Sequence, residues 1–282
     1  MNQDLLVRFL FNQRDVRGEI AYTSDSLQQM LQNHDYPYPV KQLLAELVVA
    51  TSLLTATLKL DGDIAVQLQG DGPVRFAAVN GTAEQEFRGV ARLQAEIGAT
   101  GFRDLIGEGY MLVTITPKQG ERYQGIIPLT GDSLTETLEA YFAQSEQLPT
   151  RLYLFTELTE TQSRAAGLLL QVLPVDPEKA KQDFSDLVIV TDTITSTELM
   201  NLPTEQMLHR LYHDEEVELF APQAIRFVCG CSREKCEAAI ISLGKSVIEE
   251  HIAEGKLEIS CDYCNSTYLF DSAELSLLLN KF

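Results

Sequence analysis

Alternating apolar and polar residues dominate the first 175 positions of the chain and predict a series of β-strands. In residues 63–69, for example, Ile64, Val66 and Leu68 alternate with polar or small residues. The same kind of pattern predicts strands at residues 5–11, 16–22, 74–79, 87–93, 111–116, 123–129, 152–156 and 166–173. Glycine-rich turns separate several of these segments, which is typical of an antiparallel or mixed sheet.

Residues 40–60 form the longest apolar run and do not alternate. The run is long enough to span a membrane, but Lys41, Glu46 and Lys59 interrupt it and no second span follows. We therefore predict a long central core helix. Shorter helices are predicted at residues 24–31, 100–106 and 133–145, so the large amino-terminal domain, residues 1–175, is expected to be α+β.

Residues 176–222, called the linker below, carry eleven acidic and three basic residues. Thr195 and Glu198 are spaced as a helix capping box. Apolar residues then recur at helical spacing, namely Leu199, Met200, Met207, Leu208, Leu211 and Tyr212. This pattern predicts helices that need a neighbour to cover their apolar side. Two interpretations stay open: an ordinary packed helical segment, or an adhesive surface held down while a neighbouring domain is folded.

All five cysteines lie at or after residue 229. Cys229 with Cys231 and Cys261 with Cys264 form two close pairs, the arrangement that places four thiolates around one zinc ion. We predict a small zinc domain over residues 223–282. Cys236 is expected to be a half-buried helix residue, because zinc takes four ligands, and His251 is expected to be a surface residue.

The local sequence of this segment predicts where the four cysteines lie. A strand is predicted at residues 224–228, a helix at 232–244, and two strands at 257–259 and 268–270. A second helix is expected to begin with a capping box of Ser246 and Glu249 and to stop at Gly255. The first pair then enters from a strand-to-helix turn, and the second from a hairpin turn.

A domain of this size buries too little to be more than marginally stable alone. Zinc in small thiolate domains contributes on the order of 10–16 kcal/mol, and this binding energy is also folding energy. Removing the metal should therefore unfold residues 223–282. Oxidising either cysteine pair to a disulfide would remove two ligands, so oxidant should dismantle the site.

The chain has 282 residues and a net charge of −19. This charge argues against nucleic-acid binding, which needs a positive surface. The amino terminus shows no secretion signal, and cysteines grouped as metal ligands indicate a reducing compartment, so we expect a cytoplasmic protein. Only four histidines are present, three of them after residue 208, and no catalytic constellation stands out, so an enzyme is not expected.

Several motifs carry a family resemblance. They are Val16-Arg17-Gly18-Glu19, Tyr38-Pro39-Val40, the run from Val66 to Pro73, Cys229-Gly230-Cys231-Ser232 and Cys261-Asp262-Tyr263-Cys264. With them the chain resembles, from end to end, the bacterial redox-regulated heat-shock holdase chaperones of about thirty-three kilodaltons. Some members have glycine where this chain has Asn265, and asparagine is the next most tolerant residue of a left-handed turn.

The resemblance implies an ATP-independent holdase chaperone that is inactive while reduced and bound to one zinc ion through four thiolates. It implies that oxidants couple Cys261 to Cys264, release zinc and unfold the zinc domain, after which the linker becomes unstable and Cys229 pairs with Cys231. The implied partners are unfolding client proteins, a second copy of the chain in an active homodimer, and other chaperones that refold the clients. Neither nucleic acid nor a membrane is implied.

The residues alone leave the order of the two disulfides open. Arg226, Arg233 and Lys235 flank the first pair and favour its thiolates. A disulfide across one residue is, however, more strained than one across two.

Two other functions remain as alternatives. A thiol-disulfide oxidoreductase would use Cys261 and Cys264, but its motif normally begins a helix within a βαβ unit. A constitutive zinc-binding adaptor would need the metal for binding, whereas the chaperone would need its loss.

Overall fold

A computed structural model describes residues 4–57, 61–98, 100–175 and 177–282. Three stretches named in the sequence analysis lie outside these ranges. They are residues 1–3 at the amino terminus, residues 58–60 at the end of the predicted central helix, and residue 176, the first of the linker. By contacts the chain divides into two compact units, a first unit at Met1–Phe227 and a second unit at Val228–Phe282. The three-part division at residues 175 and 222 stays a prediction; by contacts the linker and residues 223–227 lie with the first unit.

The described part of the first unit contains twelve strands. They are β1 Leu5–Phe11, β2 Val16–Thr23, β3 Gly62–Gly70, β4 Val74–Thr82, β5 Glu86–Leu93, β6 Gly109–Pro117, β7 Tyr123–Pro128, β8 Thr150–Leu158, β9 Ser163–Val172, β10 Val217–Leu219, β11 Gln223–Ala224 and β12 Arg226–Phe227. The second unit contains β13 Lys256–Ser260 and β14 Thr267–Asp271.

The helices fall into three groups. In the sheet-forming part they are α1 Asp25–Leu31, α2 Tyr38–Thr57, α3 Phe102–Ile106 and α4 Leu134–Tyr141, the last continued by a π-helical turn at Phe142–Glu146. The linker forms α5 Pro177–Thr191, α6 Ser196–Asn201 and α7 Thr204–Leu211. The second unit forms α8 Arg233–Leu243, α9 Lys245–Glu254 and α10 Ser272–Leu279.

The strands of the first unit form two six-stranded sheets. The first sheet has the order β10-β1-β2-β9-β8, with β11 also paired to β1, and the second sheet has the order β12-β5-β4-β3-β6-β7. Pairing among the described strands is antiparallel except between β12 and β5, which are parallel. The α+β prediction is confirmed, although the sequence did not show that the strands separate into two sheets.

Helix α2 is the centre of the first unit, as predicted. It contacts strands of both sheets, and residues such as Leu44, Leu47, Leu53 and Leu54 are fully buried along it. By length and composition α2 would pass as a membrane span among the described residues, but 78% of its apolar window is buried inside the protein. A helix with apolar residues on all sides suits this position because sheets cover it on two sides.

Two local predictions for the end of the chain were wrong. The segment at 224–228 is not one strand, because β11 pairs with β1 and β12 pairs with β5. Helix α9 begins at Lys245 after Gly244, whose φ is +98°, so Ser246 lies inside the helix and forms no capping box there. The predicted left-handed stop at Gly255 is confirmed by its φ of +93°.

Candidate functional site

The first cysteine pair lies in the loop between β12 and α8. Gly230 separates Cys229 from Cys231 and has a φ of +68°, a left-handed conformation that glycine adopts without a steric penalty. Ser232 then caps α8, since its side chain accepts a hydrogen bond from the Lys235 backbone N–H at 3.3 Å. The Lys235 ammonium donates to the Gly230 carbonyl. The first turn of α8 thus fixes the loop that carries both cysteines.

The second cysteine pair lies in the turn of the β13–β14 hairpin. The Cys261 backbone N–H donates to the Ser266 carbonyl at 2.9 Å, and the Asn265 N–H donates to the Cys261 carbonyl at 2.8 Å. Asn265 has a φ of +57°, so asparagine adopts the left-handed turn conformation that the sequence predicted for it. Both pairs occupy the turns expected from the sequence.

The fold brings the two pairs together into a four-cysteine cluster of Cys229, Cys231, Cys261 and Cys264. Their Sγ atoms lie within 4.8 Å of one another, with 3.4 Å from Cys229 to Cys261 and 3.5 Å from Cys231 to Cys264. These separations are far longer than the about 2.05 Å of a disulfide. Four Zn–S bonds of about 2.3 Å in a tetrahedron would place the sulfurs about 3.8 Å apart. The cluster therefore fits zinc in both donor type and size.

Polar neighbours surround the sulfurs of the cluster. The Tyr268 hydroxyl donates to Cys231 Sγ at 3.1 Å, and Ser266 Oγ lies 3.2 Å from Cys264 Sγ. Burial alone raises the pKa of the Cys264 thiol, but hydrogen bonds with Ser266 and the neighbouring sulfurs outweigh it and lower the pKa to about 7. Burial and the sulfurs of Cys264 and Cys261 raise the pKa of Cys229. Four thiolates so close together need a cation to offset their mutual repulsion.

Cys236 and His251 lie outside the cluster, as the sequence predicted. Cys236 is on α8 as expected, but at 8% exposed it is buried rather than half-buried, because it packs in the apolar core of the second unit. The His251 ring accepts or donates a hydrogen bond with Glu254 at 2.8 Å on α9. Neither residue belongs to the group of possible metal ligands that the described residues form.

The second unit has a small core. Its buried apolar residues are Cys236, Ile240, Ile248, Phe270, Leu275 and Leu278. Arg233 covers this core from one side, with its guanidinium carbon 4.3 Å from the centre of the Phe270 ring. So few buried side chains give marginal stability, and the four-cysteine cluster joins the loop before α8 to the β13–β14 turn.

A second feature of interest is the interface between the linker and the outer face of the first sheet, called the linker interface below. Helices α5, α6 and α7 bury Leu187, Leu199, Met200, Met207, Leu208 and Tyr212 against Phe9, Phe11, Ile20, Tyr22, Leu168 and Leu170. The predicted capping box of Thr195 and Glu198 begins α6. Polar contacts join the apolar ones, including 2.7 Å between the hydroxyls of Thr191 and Tyr212.

Comparison with known proteins identifies the family. The family model described as Hsp33 protein matches residues 4–271. The chain belongs to the Hsp33 family. It is 51% identical over 281 residues to the "33 kDa chaperonin" of Pseudoalteromonas translucida, which covers 99% of this chain and 100% of that protein. It is 50% identical to the protein of the same name from Escherichia coli (strain K12 / DH10B), covering 99% of this chain and 96% of that protein.

The fold of the Hsp33 family is also seen by structural comparison. The crystal structure of the 33 kDa chaperonin of Thermotoga maritima matches with a TM-score of 0.86, covering 99% of this chain and 98% of that one. Identity in this alignment is 23%, so the match supports the fold alone. Within that Hsp33 fold, the four cysteines of this chain form the cluster described above.

Sequence reasoning missed the part of the first sheet that receives the linker. Ten consecutive residues of β9 are buried or nearly so, and β2 is also buried along most of its length. Strands buried on both faces read as continuous apolar runs rather than alternating ones. The run Leu168-Leu169-Leu170 was therefore the available signal that a second layer covers this strand.

Proposed function

We propose that this protein is a redox-regulated, ATP-independent holdase chaperone of the cytoplasm. In the reduced state one zinc ion is held by Cys229, Cys231, Cys261 and Cys264, and the protein is inactive. Oxidation releases the zinc, unfolds the second unit and frees the linker, and the surface so exposed binds unfolding client proteins. The family and its chaperonin relatives support the chaperone part of this proposal.

The observation that carries the proposal is the position of the four-cysteine cluster in a unit with six buried core residues. Zinc supplies electrostatic neutralisation of four thiolates and a rigid link between the α8 loop and the β13–β14 turn. When it leaves, the remaining core is too small to hold the unit together. Loss of the ligands is thus equivalent to loss of the fold.

Oxidation by peroxide balances as two separate steps. In each step two thiolates lose two electrons and form one disulfide, while one peroxide takes up those electrons and two protons from solvent and becomes two waters. We propose Cys261 with Cys264 and Cys229 with Cys231 as the pairs. Sulfurs of different proposed pairs also lie close together, at 3.4 Å for Cys229 with Cys261 and 3.5 Å for Cys231 with Cys264, so peptide mapping of the oxidised protein must decide the pairing.

Release of the linker would expose a large apolar surface. Leu199, Met207 and Leu208 are at most 3% exposed in the linker interface, and each fully buried side chain of this kind represents about 1.5–3 kcal/mol of burial. Both faces of the interface, linker and first sheet, would then be available to non-native chains. We propose that two activated copies associate as a homodimer and that other chaperones receive the clients for refolding.

The hairpin position of Cys261 and Cys264 argues against a thiol-disulfide oxidoreductase. In such enzymes the reactive cysteine benefits from a helix amino terminus. Here β13 precedes the turn and β14 follows it. The chaperone proposal accounts for all four cysteines, whereas the oxidoreductase would use only two.

The test measures aggregation of a thermally unfolding protein in the presence of reduced, zinc-loaded protein or of peroxide-treated protein. A chromogenic chelator follows zinc release in the same samples. We expect suppression of aggregation to appear only as zinc leaves. Equal activity in both states, or activity in neither, would contradict the proposal.

A further inference from the structure

Arg14 occupies the turn between β1 and β2 and makes ion pairs with two distant parts of the linker. Its Nη1 donates to Asp183 Oδ1 at 3.0 Å. Its Nε and Nη2 donate to Glu215 Oε1 at 3.1 and 2.7 Å, and Nε also lies 3.1 Å from Glu215 Oε2. One guanidinium thus binds two carboxylates, one of them through two of its nitrogens.

The two carboxylates lie near opposite ends of the linker. Asp183 is in the first half of α5, and Glu215 follows the end of α7. All of the buried linker side chains named in the linker interface lie between these two residues in the sequence. A residue that holds both ends therefore closes the whole apolar segment onto the first sheet.

Other groups of the same turn add to this contact. The Asp15 backbone N–H donates to Asp183 Oδ2 at 3.1 Å, and the Asn12 N–H donates to the carbonyl of Glu216 at 2.9 Å. Asp15 also pairs with Lys179 of α5 at 3.3 Å. The main chain of the turn, as well as its side chains, thus forms hydrogen bonds near both ends of the linker.

Burial makes the Arg14 contacts stronger than ordinary surface ion pairs. The Asp183 side chain is 7% exposed and that of Glu215 is 18% exposed. A buried carboxylate without its cation is costly, so Asp183 depends on Arg14 more than an exposed acid would. The charged groups around this contact are Arg14, Lys179, Asp15, Asp183, Asp186 and Glu215.

We propose that Arg14 is a positioning residue that keeps the linker closed on the first sheet and so sets how readily the chaperone surface is exposed. This inference rests on the proposed function. It adds a control point that is independent of the thiols: weakening the Arg14 contacts releases the linker while zinc stays bound. Sequence reasoning could not find it, because 169 and 201 residues separate Arg14 from Asp183 and Glu215.

The test uses the full-length, reduced, zinc-loaded protein with Arg14→Met, which keeps the length of the side chain and removes its charge. Hydrogen exchange of peptides within residues 179–216 is compared with that of peptides from the second unit. We expect roughly tenfold faster exchange in the linker, because a partly buried, bidentate pair is lost. Exchange in the second unit and the zinc content should stay as in the wild type.

Two further variants keep the test interpretable. Arg103→Met is the matched control, since Arg103 pairs with Glu108 and Asp132 over 3.7 and 3.6 Å, both on exposed residues outside the linker. Its linker exchange should equal that of the wild type. Glu215→Gln removes one of the two carboxylates without disturbing the buried Asp183. It should give a smaller increase in linker exchange than Arg14→Met, and it still tests the proposal if Arg14→Met fails to fold.

Three outcomes separate this inference from the proposed function. Linker exchange in both Arg14→Met and Glu215→Gln equal to the wild type overturns the role of Arg14, whatever the chaperone assay shows. A second outcome is faster linker exchange in reduced Arg14→Met without suppression of aggregation, although oxidised wild type does suppress it. This result overturns the claim that linker closure sets exposure of the chaperone surface. Oxidised wild type without activity contradicts the proposed function, while the exchange data still decide whether Arg14 closes the linker.

Discussion

The two units of this protein are held together by different forces. The first unit encloses α2 between two six-stranded sheets and has a large continuous apolar core. The second unit has a two-stranded sheet, three helices and six buried core residues. Apolar burial can sustain the first, whereas we propose that the second depends on its four clustered cysteines and on the cation that they fit.

This difference shows how one chain can contain a stable unit and a second unit that is able to unfold by itself. The linker, which ends shortly after β10, belongs to the first unit by its contacts, and the chain leads from it through β11 and β12 directly into the second unit. Regions with few buried contacts unfold locally at low free energy, without global unfolding. We therefore expect the two units to respond separately to substitution, pH and oxidation.

Cys261→Ser should have the largest effect. It removes one of the four proposed zinc ligands and with it much of the about 10–16 kcal/mol that a structural zinc site contributes. We expect the second unit to be unfolded in reducing buffer, measured as loss of dispersed amide signals from residues 233–279. The amide signals of the two six-stranded sheets of the first unit should persist.

Cys236→Ala is the matched control for this substitution. It changes a cysteine of the same unit that lies outside the four-cysteine cluster. This variant should keep its zinc and its fold. A folded second unit in Cys261→Ser, or an unfolded one in Cys236→Ala, would contradict the assignment of the cluster.

Core truncations compare the two units directly. Phe270→Ala and Leu54→Ala each remove a fully buried side chain, one per unit, at an expected cost of about 3–5 and 2–5 kcal/mol. In Phe270→Ala only the transition of the second unit should shift in thermal unfolding, and zinc affinity should fall with it. Leu54→Ala should shift only the main transition. A shift of both transitions in either variant would show that the units do not unfold separately.

Glu19 provides a pH test specific to the first unit. Burial raises the pKa of this carboxyl to about 7, against the opposing effects of a hydrogen bond from Thr57 and the charges of Arg17 and Arg8. The folded protein therefore keeps a proton that the unfolded chain releases near pH 4.5. The contribution of Glu19 to the free energy of unfolding should therefore be fully present below pH 4.5. The free energy of unfolding of the first unit should then fall by about 3 kcal/mol as the pH rises through 7.

Glu19→Gln should remove this slope and stabilise the first unit at pH 8, because the amide carries no charge and its oxygen can still accept from Thr57. Denaturant unfolding at pH 5 and pH 8 measures both effects. A wild-type slope that persists in Glu19→Gln would contradict the role of this residue.

Thr195→Ala should have the smallest effect. Thr195 and Glu198 form both hydrogen bonds of the capping box at the start of α6, and loss of such a cap costs about 1 kcal/mol. We expect faster hydrogen exchange in the linker and an earlier onset of chaperone activity during oxidation. Thr193→Ala is a nearby control, since its hydroxyl donates to the Val190 carbonyl at the end of α5 and takes no part in the capping box of α6. Equal behaviour of the two variants would show that the capping box does not matter for release.

The sequence predicted the elements whose residues carry a local signal. Alternation located β3 and its neighbours, the longest apolar run located α2, and paired spacing located the four cysteines. The division into two sheets was not predicted because pairing partners such as β2 and β9 are about 150 residues apart and leave no local trace.

Local signals also failed where two of them competed. Ser246 and Glu249 have the spacing of a capping box, but Gly244 allows the chain to enter α9 earlier. Helix α10 was missed although Asp271 and Glu274 form a capping box at its start. The contacts of Arg14 depend on tertiary structure alone, which is why only the structure brings them together.

The central claim is that loss of the second unit frees the linker and leaves the sheets intact. Hydrogen exchange of the zinc-loaded protein during peroxide treatment tests it most directly, with zinc release followed in parallel. The account predicts that residues 233–279 lose protection as zinc leaves, that residues 179–216 follow, and that β3, β4, β6 and β9 remain protected. A linker that stays protected after the second unit has unfolded, or sheets that lose protection together with it, would contradict the account.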